Sequence, residues 1–457
     1  MKKVLVITYY WPPSGGSGVQ RWLKTSKYLP KFGWRPVIYT PENPDVNSVD
    51  ESLLKDVSPD LEVIKRKIRE PYAAYKILTG KRKGEHIQAN IVSSEKKGFL
   101  QKLSGHIRAN WFIPDPRIWW VKPSVRFLKN YIESLTPENR PDAIISTGPP
   151  HSMHLIAREI HRVFNIPWIA DFRDPWTNIF YFKHLGLSEK SLRKHKALER
   201  SVLQEADRVV VVSRQMKAEF STGEYETFAS KVSVISNGYD PDDFSSEKNP
   251  ELASEEKEIA EKTNGKFVVA HTGLLPKSAD PDRLWKALGD MAKEDEDFRN
   301  NLLVAVMGQT DGCVKEEIAG NGLSNNFIDL GYVPHNTSVA WMKRADLLLL
   351  PLRKEKESRA ILTGKFFEYL ATGKPILAFG PTDGNLAEEL SATGSGDIYE
   401  FEDENGIRKS VENIWTNFKN GEIRQEGNQM DARGKFSRVK ASEDFAAMLD
   451  EITLKTE

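Results

Sequence analysis

Short, wholly apolar and β-rich runs recur along this chain, each followed by a glycine- or proline-bearing loop and then a helical pattern. No other feature restricts its possible folds as strongly. A strand that is apolar on both faces must be covered on both faces, and helices alternating with strands supply that cover in a parallel sheet. Residues 4–9 run into Pro12-Pro13-Ser14-Gly15-Gly16-Ser17-Gly18. A helical pattern follows, with Trp22, Ser26 and Leu29 on one side, and then a second apolar run at 36–39. Residues 143–145 lead into Thr147-Gly148-Pro149-Pro150 and a helix through Ile160, and residues 167–170 lead into Asp171-Phe172-Arg173-Asp174. A charged helix over 189–206 precedes another run at 208–213. A polar stretch then reaches about residue 266, and a second series begins, with runs at 267–270, 302–307, 328–333, 347–350 and 375–379. The expected architecture is α/β, with two Rossmann-like doubly wound lobes over 1–240 and 241–434 facing a cleft. A last amphipathic helix within 435–457, with Phe445, Met448, Leu449 and Ile452 at helical spacing, is expected to pack back on the first lobe.

At 457 residues the chain is long enough for two or more cores, and a hydrophobic fraction of 39% is too high for a disordered chain. Cys313 is the only cysteine, which excludes an internal disulfide and fits a reducing compartment. No apolar run reaches the length of a membrane-spanning helix, and the N-terminal run ends at Trp11-Pro12-Pro13, too soon for a secretory signal. A cytoplasmic protein is expected. The net charge is zero, which argues against a general nucleic-acid binder. The zero conceals an asymmetry: residues 62–129 hold 16 Lys/Arg against 5 Asp/Glu. That stretch contains Lys65-Arg66-Lys67, Lys81-Arg82-Lys83 and Lys96-Lys97, and ends in Trp111, Phe112, Trp119 and Trp120. A basic, aromatic insertion over about 61–130 suits phosphates or an anionic membrane surface; the plainer alternative is a solvated insertion.

Ligands of open α/β sheets bind beyond the carboxyl ends of the strands, so the loops there are the places to look for chemistry. Gly15, Gly16 and Gly18 open a helix where backbone N–H groups can approach an anion or a sugar. Their spacing is not that of a dinucleotide fingerprint. In the second half, Thr363-Gly364 starts a short helix with Lys365 beside it, a seat for a diphosphate. Glu368 lies four residues from Gly364, where a carboxylate could hydrogen-bond a ribose diol; alone it could equally be an exposed helix residue.

Residues 365–378, together with 146–154, 166–176 and 235–240, resemble GT-B glycosyltransferases of family 4, the group 1 transferases. The resemblance extends from residue 4 to the terminal helix. It implies a retaining transfer from a nucleotide sugar, UDP- or GDP-linked, with Glu368 on the nucleotide ribose and neither a metal nor another cofactor. The nucleobase would lie against Gly331, Tyr332 and Val333. Two departures stand out. The family's E-x7-E signature has Ala360 in its first position, and the loop 271–277, with Gly273, offers Lys277 but no adjacent Arg. Lys277 and Lys365 together are the expected cations for the leaving diphosphate. Asp171, Asp174, His151 and His154 are the candidates to orient or deprotonate the acceptor hydroxyl. Alternatively, Asp174-Pro175 caps and turns the chain while Arg173 pairs with Asp171. His151 and His154 could meet a metal, but they lack a third ligand. Eight of the eleven Trp precede residue 179, and Trp119 and Trp120 with Trp111 are the candidates for acceptor or membrane contact. The function expected is transfer of a sugar to a glycan or lipid-linked acceptor in bacterial surface polysaccharide synthesis, at the cytoplasmic membrane face. The rival readings are a nucleotide-sugar epimerase and an inactive partner of another transferase.

Overall fold

A computed structural model of the chain describes residues 1–46, 48–70, 109–179, 182, 185–422 and 433–454. They form two compact units, Met1–Ser236 with Arg438–Glu457, and Asn237–Ser437.

The first unit is built on a seven-stranded sheet in the order β3-β2-β1-β4-β5-β6-β7. Its strands are β1 (Lys2–Ile7), β2 (Trp34–Pro41), β3 (Glu62–Arg66), β4 (Ala143–Gly148), β5 (Trp168–Phe172), β6 (Arg208–Val211) and β7 (Val232–Val234). Every pairing is parallel, with Val4 opposite Pro36 on one side and Ala143 on the other. The two-residue period sorts β1 between two layers. Leu5 and Ile7 pack with helices α2 (Ile118–Ser134), α3 (Ser152–Phe164) and α4 (Glu189–Glu205), while Val4 and Val6 pack with the helix Ser17–Tyr28, here α1. Helix α4 starts where the Ser188 hydroxyl accepts a hydrogen bond from the Ser191 N–H at 3.2 Å, a cap worth about 1 kcal/mol.

The basic stretch is not an insertion at its two ends. Residues 62–66 form the edge strand β3, and 118–134 form α2, which covers the sheet. Trp120 is accordingly a core residue rather than a surface contact. Its ring stacks on Tyr39 at 5.0 Å and its indole N–H donates to the Lys67 carbonyl at 3.2 Å. Lys81-Arg82-Lys83 and Lys96-Lys97 lie outside the described residues.

The second unit carries a six-stranded parallel sheet in the order β10-β9-β8-β11-β12-β13. The strands are β8 (Phe267–Thr272), β9 (Leu302–Met307), β10 (Phe327–Gly331), β11 (Leu347–Pro351), β12 (Ile376–Phe379) and β13 (Gly396–Tyr399). Leu348 and Leu350 of β11 join one core with Phe366, Phe367 and Leu370 of helix α5 (Gly364–Thr372), and Leu347 and Leu349 join the core on the opposite face. The last helix, α6 (Arg438–Leu454), belongs to the first unit. There Phe445 meets Trp22 at 5.0 Å, and the Ser442 hydroxyl reaches the Thr25 carbonyl at 3.3 Å. Among the described residues, no helix is long and apolar enough to cross a membrane.

Strand order reverses between β1 and β4 in the first unit and between β8 and β11 in the second, and loops beyond these points are where such sheets bind ligands.

Candidate active site

Three strands of the second unit end in glycine turns that shape a shelf. Gly273 follows β8 with φ +119°, Gly308 follows β9 with φ +121°, and Gly331 ends β10 with φ +60°. The Gly273 N–H donates to the Met307 carbonyl and the Gly308 N–H to the Gly331 carbonyl, both at 2.6 Å. A β-carbon on Gly308 would collide with the Gly273 backbone, so these strand ends approach closely because neither residue has a side chain.

Helix α5 faces the Gly273 turn. Its Tyr369 is fully buried, and the phenol oxygen accepts from the Thr272 N–H at 2.9 Å, tying the end of β8 to the helix. Sequence reasoning missed Tyr369; the signal was a polar aromatic in an apolar helix, which needs a partner when buried. The Lys365 side chain lies over Gly273, where any β-carbon would strike its Cε and Nζ. Among the described residues Lys365 has no salt bridge, and burial lowers its pKa while nearby Glu368 works the other way. The Thr363 hydroxyl at the helix start is buried, has no hydrogen-bond partner among the described residues and caps no N–H group. Thr363, Gly364 and Lys365 thus bring an unpartnered hydroxyl, the open N–H groups of a helix start and a cation to one place. That set suits a phosphate.

The second expected cation is otherwise engaged. Lys277 donates to Asp280 at 2.8 Å and to Glu317 at 3.0 Å, and these bonds raise its pKa. Lys354 and Arg359 are likewise paired, with Asp282 and Asp383. Lys277→Ala is expected to change stability by no more than about 1 kcal/mol and to leave nucleotide affinity unchanged. Titration with UDP checks this, and a large loss of affinity would return Lys277 to the site. Tyr332 is 92% exposed beyond β10, while Val333 packs against the core.

In the first unit, Arg173 joins the loops after β1 and β4. It donates to the Gly18 carbonyl at 2.6 Å and to the Pro149 carbonyl, and lies 5.5 Å from the Tyr10 ring centroid. Gly18 has no room for a side chain, since a β-carbon would sit 2.9 Å from Tyr10 Cδ2 and 3.1 Å from Arg173. Gly16, with φ +90°, begins α1, and the Gly15 N–H is held by the Ser48 carbonyl at 2.9 Å.

Arg173 does not pair with Asp171. That carboxylate is completely buried and is held by Arg21 at 2.8 Å, by the Trp22 indole N–H at 2.8 Å and by the Thr147 hydroxyl at 2.9 Å. Burial alone would push its pKa up; Arg21 and the hydrogen bonds outweigh that and hold it below the ordinary value. With its oxygens so engaged, Asp171 anchors α1 to β5 and is poorly placed to take a proton from an acceptor. Arg21 also donates to the Ile235 and Ser236 carbonyls, fixing the end of this unit's chain.

His154 is also interior. Its Nδ1 shares a hydrogen bond with the Ser146 hydroxyl at 2.8 Å, and Trp168 Nε1 donates to that same hydroxyl at 2.8 Å. Burial drops its pKa to about 3, too low for a good base at neutral pH. His151 stacks on Trp176 at 4.6 Å and is lowered well below 6.5, by burial first and then by His154 and Arg173. Asp174 differs from these. Its side chain keeps an exposed surface and has no hydrogen bond or ion pair among the described residues; desolvation by the protein packed around it pushes its pKa up, against the opposing effect of Arg173. Trp119 is 56% exposed.

The family model described as Glycosyltransferase Family 4 matches residues 16–243, and the one described as Glycosyl transferases group 1 matches residues 253–432. No curated protein sequence matches the chain. A glycosyltransferase from Rickettsia africae superposes with a TM-score of 0.62 at 16% identity, covering 100% of this chain and 99% of that one. Sucrose-phosphate synthase from Thermosynechococcus elongatus gives 0.58 at 14% identity, covering 100% of both chains. Anabaena HepE, in complex with UDP-glucose, gives 0.58 at 14% identity and covers 99% and 100%.

Proposed function

The chain belongs to the family 4, group 1 glycosyltransferases and has a two-lobe GT-B fold, and from that premise we propose that it moves a sugar, with retention, from a UDP-linked donor to a glycan or lipid-linked acceptor. The observation that carries the donor assignment is Lys365 over Gly273 beside the open start of α5. HepE, whose structure holds UDP-glucose, supports UDP as the nucleotide.

Transfer breaks the bond between the anomeric carbon and the β-phosphate oxygen, and the electron pair leaves with the phosphate. The charge that develops there is met by Lys365 and the helix N–H groups, without a bound metal. The acceptor oxygen forms the new bond, and its proton goes to the departing phosphate on the same face. Asp174, a carboxylate just beyond β5 that is unengaged among the described residues, orients the hydroxyl. Glu368 holds the ribose. Synthesis of a bacterial surface polysaccharide at the cytoplasmic membrane face is the setting in which such a transfer has a place.

The test is UDP release from a panel of nucleotide sugars, with and without a membrane extract as acceptor source. Release that depends on the extract, with a labelled sugar entering an acceptor, is expected. Interconversion of the nucleotide sugar without transfer would favour an epimerase, and no turnover with any donor would favour an inactive partner. Glu368→Gln should weaken UDP binding about 10- to 100-fold, as expected for a hydrogen bond to a charged group worth about 1.5–3 kcal/mol. Unchanged affinity in calorimetry would remove the ribose assignment.

A further inference from the structure

On the outer side of the first unit, helices α2, α3 and α4 enclose an open groove of about 1070 Å³. Its floor is apolar, from Ile113, Val121, Val125, Leu155 and Leu198. Its rim is basic. Lys122, Arg126 and Lys129 recur at helical spacing along α2, and Lys194 faces them from α4. None of these four has an ion pair or hydrogen bond among the described residues. The one acid lining the groove, Glu159, is already engaged by Arg158 at 3.0 Å and Arg162 at 2.8 Å.

We propose that this groove docks the protein on a bilayer of anionic phospholipid, with lipid phosphates on the four cations and acyl chain on the apolar floor. The inference rests on the membrane-face setting proposed above and gives that setting a site. Charge complementarity selects the occupant. The neighbouring chain segment, residues 71–108, carries 8 Lys/Arg against 2 Asp/Glu, so a basic rim disfavours it and favours an anion. A small free anion would have no use for the apolar floor. A bilayer matches both parts, and it also matches Trp119 and Trp111, 56% and 78% exposed near the start of α2, because indole rings favour the headgroup level.

The experiment is co-sedimentation of the full chain with vesicles of phosphatidylcholine, with and without phosphatidylglycerol, at low and high salt. The parent should bind only the phosphatidylglycerol vesicles and lose them as salt rises. Each basic residue near such a surface contributes about fivefold, so the combined K122Q, R126Q and K129Q variant should bind on the order of a hundredfold more weakly. Its circular dichroism should equal the parent's, as should its UDP release with detergent-solubilised membrane extract, where the acceptor is present without a bilayer. A parent that ignores anionic vesicles overturns the proposal, as does a triple variant that binds as the parent does. It is also overturned if neutralising Lys81, Arg82, Lys83, Lys96 and Lys97 abolishes binding while the triple variant retains it, or if the parent binds heparin but no vesicle. UDP release by the same protein with detergent-solubilised membrane extract keeps the two readings apart, since a parent that turns over donor there yet ignores vesicles refutes only the docking.

Discussion

Replacing Lys365 by Met is expected to lower turnover by about 10²- to 10³-fold, the usual cost of removing one preorganised charge stabiliser from a transition state. Methionine keeps the length and apolar bulk of the side chain over Gly273, so the shelf made by Gly273, Gly308 and Gly331 stays filled. Stability should hold or rise slightly, because burial already disfavours the ammonium and no salt bridge among the described residues is lost with it. The loss should fall mainly on kcat, since the leaving phosphate carries more charge in the transition state than in the bound donor. Steady-state UDP release and a thermal melt on the same preparation separate the two effects. Unchanged kcat would remove Lys365 from the mechanism.

Asp171→Ala should act in the opposite way, destabilising the first unit by about 3–5 kcal/mol, the cost of leaving one partner of a buried ion pair without the other. Arg21 is 1% exposed and would keep its charge in the interior, while Trp22 and Thr147 would lose an acceptor. Denaturant unfolding checks the magnitude, and a variant as stable as the parent but inactive would restore a catalytic role to Asp171. The same carboxylate also sets a pH dependence. Its pKa is lowered on folding, so its stabilisation is complete above the ordinary Asp value and is lost as pH falls through the folded value. His154, about 3 in the folded state, acts in the same direction from a higher start: the unfolded chain takes up its proton as pH drops below about 6.5. Stability should therefore decline progressively from mildly acidic pH downward. A melting temperature flat from pH 7 to pH 4 would contradict the buried, neutral histidine.

The strands at the centre of each sheet were legible for a physical reason. Parallel strands covered on both faces are apolar without alternation, and residues 4–7 and 347–350 have that form. The edge strands β3 and β13 and the short β7 lack it, because partly exposed strands admit Glu62, Lys65, Ser233 and Asp397. The basic excess over 62–129 likewise concealed fold. Lysines and arginines line the outer face of α2, while Trp120, Val121, Leu128 and Ile132 of the same helix are buried. At the candidate site, residues 363–368 could be read because a helix start and its flanking charges are local. Partnerships across the chain could not. Lys277 meets Glu317 forty positions on, and Asp171 meets Arg21 a hundred and fifty positions back, so nothing near either residue reveals that its charge is engaged.

In the proposed reaction the second unit holds a nucleotide sugar at Lys365 and releases UDP as the sugar moves. The most direct measurement is UDP formation from UDP-linked sugars with membrane extract, comparing the parent with Lys365→Met. The parent should show extract-dependent UDP release, with the anomeric configuration of the transferred sugar retained, and the variant a fall of about 10²- to 10³-fold. Equal release by both proteins, or none by the parent from any UDP-linked donor, would contradict that reaction.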